Sequence, residues 1–159
     1  EMQNVFAPHD HASCSQDALT TVERVCAERG LRLTPIRKRT LEILLEEHHA
    51  LGAYDVLQKL SDYGFADKPP MAYRALNFLV EHGFAHRVER LNAYVACAHP
   101  DAEHTPALWI CSGCQKVAET VQAAELGQRL GQNGGFSINT LTIEAEGSCQ
   151  QCRDENSND

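Results

Sequence analysis

Along the first eighty residues apolar positions recur every three or four residues, the spacing of helices that each bury one stripe. Leu19, Val22, Val25 and Cys26 mark a helix from Asp17 to Arg29, with Gly30 placed to end it. Thr34-Pro35 gives an N-cap followed by proline at the first helical position, and predicts a second helix to about Glu47. A third spans roughly Ala53 to Tyr63, stopped by Gly64, and a fourth runs from about Met71 to His82 before Gly83. The buried stripe of the fourth is Ala72, Leu76, Leu79 and Val80, which leaves Tyr73, Arg74, Asn77 and Glu81 facing outward.

The period then shortens. "FAHRVE" and "AYVAC" read as two strands of a hairpin joined at Arg90-Leu91-Asn92, and helices followed by a hairpin predict a winged helix-turn-helix. Beyond Pro100, "ALWIC" and "KVAET" read as strands, Gln122 to Gln132 as a helix, and "FSINTLTIEAEG" as a longer strand. The expected class is α+β, with a winged-helix domain over 17–94, a hinge at 95–98 and a second α+β domain over 99–152. Residues 1–16, which lack periodicity, and the acidic stretch 153–159 are expected to be flexible tails.

Composition narrows the function classes. A chain of 159 residues with 43% hydrophobic positions suits one or two small domains. No apolar run approaches the ~20 residues that cross a bilayer, and the start "EMQNVFAPHDHASC" lacks a basic segment followed by an apolar one. The expectation is a soluble cytoplasmic protein without a membrane partner. A net charge of −8 argues against nucleic acid until its distribution is considered. Residues 1–90 hold eleven Lys and Arg against thirteen acids, whereas 91–159 hold three against nine. Within the first part, Arg24, Arg29, Arg32, Arg37, Lys38 and Arg39 are interrupted by a single acid, Glu28. That local cluster is a candidate phosphate footprint.

Four of the seven cysteines fall in two CxxC pairs, Cys111/Cys114 and Cys149/Cys152. Each pair lets a tight turn aim two thiolates at one ion, and two pairs complete the closed S4 shell of a structural zinc site. Disulfides or a thioredoxin-type redox pair are the alternatives, although no βαβ unit follows the second pair. A second concentration of ligand chemistry is "YVACAHPDAEH", with Cys97, His99 and His104, and a third is His9, His11 and Cys14. His48-His49 reads as a solvated turn at a helix end.

The segments "LRLTPIRKRTLEIL", "AYDVL" and "KPPMAYRALNFLVEHGFAHRVE" resemble the ferric uptake regulator family, and within it the zinc uptake regulator branch. The resemblance runs from about Asp17 to Cys152. It implies a bacterial homodimeric repressor with an N-terminal winged helix and a C-terminal dimerisation domain, binding palindromic A·T-rich operator DNA when loaded with metal. Arg74, near the N-terminal end of the fourth helix, would then read guanine O6 and N7 in the major groove, flanked by Tyr73 and Asn77. Tyr54 and Arg37 to Arg39 would make backbone contacts that set the register. The chain departs from the family at Met71-Ala72, where Thr-Val or Thr-Leu is usual.

The same resemblance implies a regulatory zinc site of His86, Cys97, His104 and Glu119, so two Zn²⁺ per subunit. One thiolate, two imidazoles and a carboxylate suit zinc, whereas the thiolate disfavours iron(II) and manganese. The "HHDH" run of the iron and peroxide sensors is missing; the alternatives are an iron, nickel or peroxide sensor of the same family, or a zinc-stabilised interaction or storage module. His99 does not satisfy the spacing and is a reserve ligand. An enzyme is not expected, because four protein ligands leave no position for a catalytic water, and the sequence has neither a Gly-rich phosphate loop nor a nucleophile elbow.

Overall fold

The computed structural model describes residues 6–7, 10–65, 68–120, 124–132 and 134–157. The chain divides into two compact units, His9–Glu103 and His104–Asp159 with Glu1–Pro8. The first contains α1 (His11–Arg29), α2 (Pro35–Leu45), α3 (Ala53–Asp62) and α4 (Pro69–Glu81), then strands β1 (Ala85–Val88) and β2 (Ala93–Ala96). Leu41, Ile43, Val56, Leu60, Leu76, Leu79 and Phe84 are 0–1% exposed and form the centre of its core. Each such side chain contributes roughly 1.5–3 kcal/mol of transfer free energy, which fixes α2, α3 and α4 against one another.

Local chemistry sets the element ends. Gly30 takes the left-handed conformation at φ 67°, and Leu31 donates its N–H to the Cys26 carbonyl at 2.8 Å, closing the end of α1. The wing is an antiparallel pair with Ala85 opposite Ala96 and Val88 opposite Ala93. Its tip is a 3-10 turn over Glu89–Leu91 followed by Asn92 at φ 47°, whose side-chain oxygen accepts from Arg87 at 2.9 Å. Leu51 and Tyr94 exchange backbone hydrogen bonds of 2.9 and 2.8 Å, so the wing is tied to the segment that leads into α3.

The second unit holds β3 (Ala107–Cys111), β4 (Val117–Thr120), α5 (Ala124–Gln132), β5 (Ile143–Gly147) and α6 (Gln150–Asn156). Its sheet has the order β4-β3-β5, antiparallel on one side of β3 and parallel on the other. Because Cys111 ends β3 opposite Gly147, the parallel register brings the first cysteine pair beside the turn that carries the second.

Four features differ from the sequence reading. Helix α1 begins at His11 rather than Asp17, because Asp10 accepts the Cys14 N–H at 3.3 Å and Ser15 donates its hydroxyl to the Leu45 carbonyl at 3.0 Å. Polar turns held this way carry no apolar period. The first unit continues to Glu103 instead of ending before a hinge at 95–98. Cys97 donates its N–H to Phe84 at 2.9 Å, and Arg24 reaches Asp101 at 3.7 Å. Strand β5 covers only 143–147 of the expected 136–147, since β3 offers five positions and Pro106 before it has no N–H to extend the ladder. Residues 153–156 of the expected flexible tail belong to α6, anchored where Arg153 donates its N–H to the Cys149 carbonyl at 3.1 Å. Residues 1–5, His9, Gln122 and 158–159 lie outside the described residues, as does the expected metal role of His9.

Candidate metal sites and DNA-reading face

The CxxC turns come from the ends of β3 and β5. The Sγ atoms of Cys111, Cys114, Cys149 and Cys152 all lie within 4.8 Å of one another, and Cys114 and Cys149 are 3.9 Å apart. A zinc–sulfur distance of about 2.3 Å gives a tetrahedron edge of about 3.8 Å, so the four donors match a zinc shell. They are far from the ~2.05 Å of a disulfide. The backbone supports the set: Cys149 donates its N–H to the Cys111 sulfur at 3.3 Å. That bond, with further amide donors from the turn, holds the Cys111 thiol down to about 6. Cys152 is pushed up to about 12 by hydrogen bonds with the Cys149 and Cys111 sulfurs, and burial pushes Cys114 up. Gly113 has a function the sequence reading missed. A Cβ there would lie 2.9 Å from the Cys152 sulfur, so the second residue of "SG" must lack one.

The regulatory candidates fall two in each unit. In the first, His86 of β1 pairs with Val95 and is 8% exposed, while Cys97 just beyond β2 is 2% exposed. A ring nitrogen of His86 and the Cys97 sulfur lie within 4.8 Å, and the His99 N–H donates to that sulfur at 3.3 Å. His99 thus supports the Cys97 sulfur with its backbone, while the residue itself is exposed. In the second unit, His104 Nε2 meets Glu119 Oε1, a carboxylate on β4 opposite Leu108 of β3, and their side chains are 11% and 3% exposed. Each pair offers two compatible donors from nearly dry surroundings.

On α4 the buried residues are Ala72, Ala75, Leu76, Phe78 and Leu79, with Val80 only partly covered. Tyr73, Arg74, Asn77 and Glu81 form the exposed face, as the periodicity predicts, and Met71 is half-buried in the first turn. Tyr54, at the start of α3, is 71% exposed. The basic cluster is less open than its sequence suggests. Arg24 binds Glu28 at 3.0 Å, Lys38 binds Glu23 at 2.5 Å, and Arg39 binds Glu42 at 2.7 Å and covers the Tyr63 ring at 4.3 Å. Arg37 lies over the Phe78 ring at 3.8 Å. The expected backbone contacts of Arg37 and Arg39 therefore compete with contacts inside their own unit.

A search against family models returned no match. The zinc uptake regulation protein of Escherichia coli (strain K12) is 39% identical over 141 residues, covering 87% of this chain and 82% of that protein. The chain belongs to the zinc uptake regulator branch of the ferric uptake regulator family. Among solved structures, a zinc uptake regulator complexed with zinc and DNA matches with TM-score 0.82 at 38% identity, over 90% of this chain and 97% of that one. The crystal structure of holo XcZur matches with TM-score 0.78 at 38% identity, over 87% and 98%. The α+β fold, with its N-terminal winged helix and separate C-terminal unit, is thus the fold of zinc uptake regulators.

Proposed function

We propose that the chain is a zinc-responsive transcriptional repressor of zinc uptake genes, acting in the bacterial cytoplasm as a homodimer on palindromic operator DNA. The observation that carries this reading is the similarity over nearly its whole length to a regulator solved with zinc and DNA. Among the described residues no helix is long and apolar enough to cross a membrane.

Four cysteines fix the turns of β3 and β5 as a structural site, while His86, Cys97, His104 and Glu119 together form the regulatory site. Zinc, when bound, supplies a tetrahedral cross-link among these donors. His86 and Cys97 belong to the wing hairpin, and His104 and Glu119 to the second unit. In a homodimer, the two winged-helix units present α4 to successive major grooves, ~34 Å apart. There Arg74 reads guanine, Tyr73 and Asn77 flank it, and Tyr54 sets the register on the backbone. If zinc tightens operator binding, the operator tightens zinc binding by the same factor.

The test is a fluorescence-anisotropy titration on a promoter of a zinc uptake gene at buffered free zinc, with iron(II) and nickel as comparators. Wild type should respond to zinc first. Cys97→Ser should lose zinc-dependent binding yet remain a folded dimer by light scattering and circular dichroism. Normal metal-dependent binding by Cys97→Ser would sink the ligand assignment, and a stronger response to iron(II) or nickel would sink the choice of metal.

A further inference from the structure

In a basic run, Arg37 reads first as a phosphate contact, but its surroundings give it other work. The guanidinium carbon lies 3.8 Å from the centroid of the Phe78 ring, and Nη1 donates to the Arg32 carbonyl at 2.6 Å. Phe78 is 8% exposed on the inner face of α4, and its ring meets those of His82 at 4.7 Å and Phe84 at 6.4 Å. With its guanidinium over the ring and Nη1 bonded to a carbonyl, Arg37 has two contacts within its own unit that a swing of the whole side chain toward a phosphate would cost it.

Phe78 lies one helical turn beyond Arg74 and next to Asn77 on α4. Whatever seats its ring therefore sets the roll of α4 about its own axis. A roll of about 10° displaces a group about 6 Å from the axis by about 1 Å, enough to break a bidentate hydrogen bond. Resting on the DNA-binding reading above, we infer that Arg37 is a positioning residue. It seats Phe78, fixes the aim of Arg74 and Tyr73, and holds no phosphate.

The inference separates from a phosphate contact by charge retention and by salt. The zinc-loaded full chain first selects a duplex from a randomised pool. Arg37→Lys, Arg37→Met and Phe78→Leu are then titrated on that duplex and on an unrelated one across a salt series. Lysine keeps the charge but not the planar guanidinium over the ring. Arg37→Lys should lose about tenfold or more in specific affinity, with the salt slope and binding to the unrelated duplex unchanged. Arg37→Met and Phe78→Leu should behave alike. Affinity of Arg37→Lys within about twofold of wild type, or a slope reduced by about 0.9 in Arg37→Met, would overturn the inference. If Arg37→Met fails to fold, the lysine variant and Phe78→Leu decide it. Failure of wild type to select any duplex would instead refute the DNA-binding reading.

Discussion

Gly113→Ala tests the structural site through geometry alone. Its φ is not in the left-handed region, so alanine introduces no backbone strain. The added Cβ would lie 2.9 Å from the Cys152 sulfur and 3.2 Å from its Cβ, where ordinary contact begins near 3.5 Å. Cys152 must then retreat by roughly 0.6 Å, about three times the ±0.2 Å that a zinc shell tolerates. A displaced fourth ligand removes on the order of a quarter of the ~10–16 kcal/mol of a structural zinc site. Apparent zinc affinity should fall by roughly a hundredfold or more. The assay is competition with a chromogenic chelator, run beside Gly147→Ala, whose Cβ meets nothing within 4 Å. Gly113→Ala within about threefold of wild type, or an equal loss in Gly147→Ala, would refute the reasoning.

Zinc loading of the four cysteines should release protons. Above pH 6 Cys111 is already a thiolate, whereas Cys114 and Cys152, both pushed up, still hold theirs. Lowering the pH from 8 to 7 should therefore weaken binding about a hundredfold, and calorimetry in buffers of different ionisation enthalpy should count at least two protons. Release of one or none would contradict this. Phe84→Ala removes a fully buried ring and should cost about 3–5 kcal/mol in urea unfolding, whereas Tyr54→Ala, at 71% exposed, should change stability by less than about 0.5 kcal/mol. Arg74→Ala should cost about 1–3 kcal/mol on the selected duplex and relax specificity at one base pair. Uniform weakening on all sequences would make Arg74 a phosphate contact.

The sequence exposes those features whose physics is periodic or stoichiometric. A 3.6-residue repeat determines both faces of α4 at once, so Tyr73, Arg74 and Asn77 are legible as its outer face. Two CxxC turns state their own chemistry, and the five-residue strand β3 follows "ALWIC" without a slip. Order supplied by a distant partner is not legible. Residues of α6 carry no apolar stripe, and their helix is nucleated at Cys149. Residues 136–142 look apolar enough for a strand, but Ile138 and Leu141 lie over Gly131 and Gly127 of α5, and Phe136 stays 71% exposed.

The basic run shows the same limit most sharply. Residue type states what Arg37, Lys38 and Arg39 can bind, and adjacency in the sequence suggests one patch. On a helix, however, consecutive residues point about 100° apart. Arg37 therefore meets the Phe78 ring, Lys38 meets Glu23, and Arg39 meets Glu42 and the Tyr63 ring. The three cations thus point away from one another and contact α4, α1 and the residue that caps α3. Which partner each cation meets is information that only the packing carries.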